Sequence, residues 1–247
     1  MMKNLMNDFI NFIKKPDLNK FAAISTKQKL KKLLKLYLLT LFFAFLINSL
    51  NNLLIIIGLY DEYSQNISNL PKLVDNNIIK TYLIFGLFFP PAIEEFTFRL
   101  LLAKFNKKYI DISISLIFGL IIYLYLNNIL WYPQLAILTN IIAYLYPVLF
   151  ALPIYIVLSF FYYNLKTIWN NKFPFFFYFF TILFAIFHIL RLNIESVHYY
   201  YLPIIILPFI LYGISLGYAR IRFGILFSII LHFMFNAPIL IKILLNY

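Results

Sequence analysis

Long apolar runs dominate this chain, and their length limits what it can fold into. Seven of them lie at roughly 34–59, 81–105, 109–126, 136–163, 175–191, 203–219 and 223–245. A helix needs about 20 apolar residues to cross a bilayer, and most of the runs approach or exceed that length. The runs are continuous rather than alternating, which favours helices over the strands of a membrane barrel. We therefore predict an all-α fold, a polytopic transmembrane helix bundle of about seven spans, within a range of six to eight.

The composition excludes several classes of protein. Hydrophobic residues make up 63% of the chain and charged residues only 12%, which is outside the range of soluble domains. The net charge of +12 comes from lysines and arginines at the ends of apolar runs, where they orient helices and meet anionic lipid. We therefore expect membrane lipid as a partner and no nucleic acid. The chain has no cysteine, which excludes disulfides, thiolate zinc sites and cysteine catalysis.

Basic residues recur on alternate connections between the runs. Residues 1–32 form a basic N-terminal segment, either a short interfacial helix or a solvated tail, and 33–247 form the membrane domain. The second, fourth and sixth loops carry the pairs or triplets Lys104, Lys107 and Lys108, then Lys166 and Lys172, then Arg220 and Arg222. By the positive-inside rule this predicts a cytoplasmic N-terminus and, with seven spans, an external C-terminus. The Phe, Tyr, Ile, Asn and Lys content indicates an AT-rich genome, so we expect an integral protein of a bacterial cytoplasmic membrane.

Two adjacent glutamates interrupt the second apolar run. Each ionisable residue at membrane depth costs roughly 2.5–3.5 kcal/mol, so Glu94, Glu95 and Arg99 need partners on other helices. Glu95 precedes Arg99 by four residues, the favourable order for an ion pair within a helix. Glu94 points about 100° away and is free to face the bundle. The doublet thus divides into a structural Glu95 and a working Glu94, unless all three merely line a watery cavity or stabilise packing.

Later spans supply candidate partners for Glu94. His188 follows Phe184 by one turn near the end of the fifth span, and His232 precedes Asn236 by one turn in the seventh. A packing histidine and a polar contact between helices would show the same spacings. A glutamate, two histidines and an asparagine converging in a membrane would instead form a hydrolytic centre. Glu94 and His188 would activate water, while His232 and Asn236 would donate to an oxyanion.

The expected depth of His188 in the membrane does not match the depths of Glu94 and His232, with which it would share a site. At ~1.5 Å per residue, Glu94 lies ~16 Å and His232 ~13 Å from the inner ends of their spans, but His188 lies ~20 Å from its own. A tilted or shifted fifth helix would close the gap. His198 lies in a loop among tyrosines, and we interpret it as an ordinary interfacial residue.

The order EExxxR, FxxxH and HxxxN resembles the CPBP (CAAX protease and bacteriocin-processing, or Abi) family of intramembrane proteases. The stretch LGYARIRFGILFSIILHFMFN at 216–236 is similar to the last two helices of that family. The resemblance covers a protease core at 81–247, about two thirds of the chain. Leu100 departs from it, because members commonly have glycine after the arginine, and this bears on packing rather than chemistry.

The resemblance implies hydrolysis of a peptide bond in or near the membrane. It assigns water activation to Glu94 and His188, oxyanion support to His232 and Asn236, and a supporting role to Glu95 and Arg99. The substrate would be a peptide or protein with a membrane-embedded or lipidated segment. We favour a cofactor-free glutamate mechanism, because asparagine suits an oxyanion donor better than a zinc ligand. The alternatives are a zinc-dependent version of the same protease, with metal on Glu94, His188 and His232, or a non-catalytic transporter or immunity-type membrane protein.

Overall fold

The computed structural model describes residues 2–19, 24–58, 89–129, 146–160, 166–190 and 201–245. The regular secondary structure in these ranges is helical throughout, and none of them contains a strand, so the prediction of an all-α fold is confirmed. The start of the second predicted span, both ends of the fourth and the loop that carries His198 lie outside these ranges.

The described ranges contain nine helices. In chain order they are α1 (Met2–Lys14), α2 (Thr26–Ile56), α3 (89–98), α4 (Lys107–Ile129), α5 (Tyr146–Phe160), α6 (Lys166–Asn171), α7 (Phe173–Ile189), α8 (Leu202–Arg222) and α9 (Ile225–Leu245). The ends of α4, α7, α8 and α9 agree with the predicted apolar runs to within three residues. By length and composition, α2 and α8 are each capable of crossing a membrane, and α5 and α7 are apolar but shorter.

The second predicted span ends earlier than expected. Its helix stops at residue 98, and turns rather than helix occupy 99–103, whereas the apolar run predicted a helix to residue 105. The reason is a tertiary contact. The guanidinium of Arg220 donates from Nε to the Arg99 carbonyl oxygen at 3.0 Å and from an Nη atom to the Leu100 carbonyl oxygen at 2.9 Å. Those carbonyls are therefore satisfied without a further helical turn.

Helix α2 begins inside the segment expected to precede the membrane domain. A capping box starts it, because the Ser25 hydroxyl accepts from the Gln28 N–H and the Gln28 side chain accepts from the Ser25 N–H. Helix α1 packs an apolar face of Leu5, Phe9 and Phe12 into the core.

The contacts of α1 continue to the end of α8. The Tyr218 hydroxyl donates to Asp8 at 2.6 Å, and Arg222 binds both Asp8 (3.1 Å) and Asp17 (2.8 Å). Burial alone would raise the pKa of Asp17, but the hydrogen bonds and charge of Arg222 outweigh it and hold this pKa below its ordinary value. The N-terminal segment is therefore joined to the bundle by both apolar packing and charge.

Helix α8 lies at the centre of the described bundle, against α2, α7 and α9. Glycine lets α7 approach closely, because a Cβ on Gly217 would come within 2.6 Å of the Phe177 ring. A hydrogen bond of 2.8 Å between the Thr40 and Ser215 hydroxyls links α2 to α8. Gly224, at φ 109°, makes the tight turn that folds α9 back beside α8.

Helices α4 and α5 pack against each other as a second pair. A Cβ on Gly119 would lie 2.1 Å from the carbonyl oxygen of Pro147, so this position tolerates only glycine at the observed separation. Pro153 stands inside α5, within the fourth apolar run.

The basic connections gather at one end of the bundle. The Trp169 indole of α6 donates to the Ala103 carbonyl at 3.1 Å, and Arg220 of α8 caps the end of α3. The Tyr178 hydroxyl donates to the Ile13 carbonyl at the end of α1. The N-terminal segment and the second, fourth and sixth loops thus share one side of the protein.

Candidate active site

The two glutamates occupy the last turn of α3. Glu94 is only 5% exposed and Glu95 is fully buried. The described part of α3 therefore carries two carboxylates into the interior, where Glu94 and Glu95 meet different partners.

Glu94 meets both candidate histidines. Its Oε2 lies 3.5 Å from Nε2 of His188 on α7 and 3.6 Å from Nε2 of His232 on α9. Both separations exceed the usual 2.7–3.2 Å of a direct hydrogen bond, by about 0.3–0.4 Å. The carboxylate and the two ring nitrogens thus surround a point that a small ligand can share.

The opposite nitrogens fix the orientation of both rings. His188 Nδ1 lies 3.0 Å from the Phe184 carbonyl oxygen, and His232 Nδ1 lies 2.9 Å from Oε1 of Glu95. Both partners are acceptors, so each Nδ1 carries the proton and donates it. In the neutral form, each Nε2 therefore presents a lone pair to Glu94.

Glu95 joins three groups at once. Its Oε1 lies 3.6 Å from an Nη atom of Arg99 and accepts from His232, while its Oε2 accepts from the Ser228 hydroxyl. Arg99 is 1% exposed, and its guanidinium carbon lies 3.6 Å from the centre of the Phe184 ring. Among the residues that the structure describes, neither of its Nη atoms has a hydrogen-bond acceptor in range. The Glu95 carboxylate and the face of the Phe184 ring thus stabilise the positive charge of Arg99.

Two supporting residues were missed by sequence reasoning. The single O–H of Ser228 lies within reach of two acceptors, Oε2 of Glu95 and the carbonyl oxygen of Leu216 at 2.8 Å, and so Ser228 of α9 contacts both α3 and α8. In the sequence, Phe184 is only the residue one turn before His188. In the structure its carbonyl oxygen orients the His188 ring, and its own ring covers the Arg99 guanidinium. Ser228 is a polar residue in an otherwise apolar helix, one turn before His232. That position could have indicated its supporting role from the sequence.

Asn236 lies beside the histidines on the wall of a cavity of about 750 Å³. His188, His232 and Asn236 contribute polar groups to it, and the aromatic rings of Phe209 and Tyr212 form part of its apolar wall. This volume is in the range of ligand-binding pockets, roughly 300–1,000 Å³. Three asparagines of α2, at 48, 51 and 52, line the same cavity, and the sequence resemblance did not extend to them.

The residues present also fit a metal ion. One ligand atom each from Glu94, His188 and His232 lies within 4.8 Å of the others. Tetrahedral zinc, with ligands at ~2.0–2.1 Å, places them ~3.3–3.5 Å apart, close to the two separations measured from Glu94. The carboxylate and carbonyl behind the two Nδ1 atoms are the outer partners that metal-binding histidines usually have.

Charge adds a constraint on what binds here. With neutral histidines, two glutamates and one arginine leave this buried set with one net negative charge. Such a site attracts a cation.

No family model, curated protein or solved structure matches the chain. The residues of the site itself are therefore what indicates its function.

The depth difference anticipated for His188 does not separate it from the other site residues. Helix α7 ends at Ile189, and His188 in its last turn meets Glu94 in the last turn of α3. Glu94, His188 and His232 come together at one location, and Asn236 lines the cavity that both histidines also line. The catalytic roles of all four stay predictions.

Proposed function

We propose that this protein is an intramembrane endopeptidase of the CPBP type, which hydrolyses a peptide bond by means of a glutamate-activated water. The observation that carries the proposal is the convergence of Glu94 with Nε2 of His188 and His232, with Glu95 behind His232. The adjoining cavity, rimmed by aromatic and amide side chains, has room for a peptide segment.

Glu94 acts as the general base. It removes a proton from a water held between its carboxylate and His188, and the hydroxide attacks the scissile carbonyl carbon. The carbonyl electron pair moves onto oxygen and forms a tetrahedral oxyanion. Protonated Glu94 then passes its proton to the leaving nitrogen as the C–N bond breaks. Water is consumed, and the products are a carboxyl and an amine terminus.

His232 and Asn236 stabilise the oxyanion. The Asn236 amide supplies two N–H donors. His232 Nδ1 already donates to Glu95, so its Nε2 donates only when the ring is imidazolium. The hydrogen bond to Glu95 fixes the orientation of that ring, so Glu95 positions His232 for its role.

A zinc-dependent version is the second candidate, and the separations from Glu94 favour it. Glu94, His188 and His232 would hold the ion, which would supply Lewis-acid polarisation and acidify bound water. In that case Asn236 would still orient the substrate carbonyl from the cavity wall.

Metal removal distinguishes the two mechanisms. If Glu94 acts without metal, purified protein should hold no stoichiometric zinc, and its cleavage of a membrane-peptide library should survive a strong chelator. Metal analysis by mass spectrometry and the cleavage rate before and after chelation provide the measurement. About one zinc per chain, with chelator inactivation that added zinc reverses, would overturn the metal-free mechanism.

The same library tests peptidase activity itself. Wild-type protein should cleave some members and Glu94→Ala none. A transporter would instead conduct ions or protons through intact membranes, and an immunity-type protein would bind without cleaving. Cleavage by wild type and the Glu94→Ala variant at equal rates would indicate a contaminating protease and remove the proposal.

We place the protein in a bacterial cytoplasmic membrane with seven spans and its N-terminus inside. The gathering of the N-terminal segment and the basic loops at one end of the bundle supports this orientation. Reporter fusions after Lys108 and Lys172 should score cytoplasmic, and fusions after Gln134 and Tyr200 external. A cytoplasmic signal at Tyr200 would exclude the seven-span arrangement.

A further inference from the structure

The first long helix carries a row of amides into the cavity of the proposed active site. Asn48, Asn51 and Asn52 of α2 all line it, in company with His188 and His232. Their spacing of three and four residues puts them on one helix face. The rest of this stretch of α2 exposes large apolar side chains, including Phe45, Leu46, Leu50 and Leu53.

Amides are costly in such a helix. An amide moved from water into an apolar medium without a hydrogen bond costs roughly 4–8 kcal/mol on the cyclohexane scale. Asn48 and Asn52 are nevertheless exposed where α2 lines the cavity. Packing alone would be served better by leucine, so these two amides favour a polar ligand in the cavity.

The chemistry of membrane proteolysis supplies such a ligand. A transmembrane helix satisfies its own backbone groups, and its peptide bonds must be unwound to reach a base such as Glu94. Each unwound residue exposes an N–H and a C=O with no water to receive them. An asparagine side chain offers two donors and one acceptor, and so it can pair with both groups.

The spacing of the row fits an extended chain. Asn48 and Asn52 are four residues apart, which is ~6.0 Å along the helix. Residues n and n+2 of a strand, whose backbone groups face the same side, lie ~6.6–6.8 Å apart. The two side chains therefore match the repeat of a strand laid along α2.

We propose that Asn48 and Asn52 form a subsite that binds the main chain of an unwound peptide beside the scissile bond. The inference rests on the proposed peptidase function and adds a substrate class to it: segments that break their helix easily within the membrane. Recognition is through backbone amides rather than through one particular side chain.

Binding to an inactive protein tests the subsite apart from catalysis. The parent is the Glu94→Gln variant in lipid nanodiscs. The probe is a fluorescein-labelled Leu-Ala peptide of about 24 residues, long enough to span, with a central Gly-Pro pair that opens its helix. A second peptide lacks the pair, and a third replaces two amides next to it with esters, which removes their N–H donors. Fluorescence anisotropy reports the dissociation constants.

The parent should bind the Gly-Pro peptide more tightly than its helical counterpart. Adding Asn48→Ala and Asn52→Ala together should weaken that binding by roughly 10–100-fold, as expected for loss of two hydrogen-bonding groups. The ester peptide should bind the parent weakly, and the asparagine double substitution should weaken it little further. Asn170→Ala with Asn171→Ala, exposed positions of α6, is the matched control and should change nothing.

Every other pattern overturns the subsite. That includes no binding by the parent, equal binding of amide and ester peptides, and an asparagine effect of the same size on both peptides. Cleavage of the Gly-Pro peptide by wild-type protein is scored separately. If the asparagine substitutions weaken binding of the amide peptide but not of the ester peptide, and wild-type protein does not cleave, the subsite stands and the peptidase proposal is wrong. If wild-type protein cleaves but the asparagine effect does not depend on the peptide amides, the peptidase proposal stands and the subsite is wrong.

Discussion

Glu94→Gln should abolish peptide hydrolysis and leave the protein folded. Glutamine keeps the size of the side chain and one carbonyl oxygen but cannot take a proton from water. The loss should be about 10⁴-fold or more in turnover, as for removal of a principal catalytic group in other hydrolases. Glu94 is not the charge partner closest to Arg99, so the thermal midpoint should stay near that of wild type. Turnover and thermal unfolding are measured on the same preparation.

A Glu94→Asp variant provides the matched comparison. It keeps the carboxylate but withdraws it by one methylene, so partial activity should remain if Glu94 transfers protons. Full activity in Glu94→Gln would exclude Glu94 as the base. Loss of folding in Glu94→Gln would instead mean that its role is structural.

Glu95→Gln should unfold the protein far more easily, because it leaves the Arg99 charge in the interior without its carboxylate. Removing one partner of a buried ion pair costs about 3–5 kcal/mol. Arg99 is 1% exposed and lies 3.6 Å from Glu95, and His232 and Ser228 lose the same acceptor charge. The free energy of unfolding, from denaturation in detergent, is the measurement.

A double substitution isolates the charge effect. Glu95→Gln combined with Arg99→Met removes both ions, so it should be less destabilising than the sum of the two single substitutions. Glu94→Gln is the isosteric control, one position away on the same helix. Equal stability of Glu94→Gln and Glu95→Gln would contradict the division of the doublet into a working and a structural glutamate.

The α-helical class of the fold was predictable because the apolar runs leave few alternatives. Backbone groups in lipid must bond within their own segment or in a closed barrel, and continuous hydrophobicity favours the helix. The end of α3 was not predictable in this way. Its termination depends on Arg220, more than 100 residues further along the chain, and local hydropathy carries no trace of that contact.

The candidate residues were also visible in the sequence, since polar side chains are rare in these apolar runs. Glu94, His188, His232 and Asn236 stand out against Leu, Ile and Phe. Residues four apart on a helix lie on the same face, so the sequence also places Glu95 near Arg99 and His232 near Asn236.

Only the tertiary structure decided how these pairs meet. Helix geometry does not say that His232 lies between the two glutamates, that Ser228 and Phe184 support them, or that the asparagines of α2 share their cavity. Those relations depend on the packing of α2, α7 and α9 around α8, and on glycine at 217 and 224. The sequence by itself determined which polar groups the apolar helices carry. Packing between helices determined which of them face one another, because that depends on contacts between residues far apart in the chain.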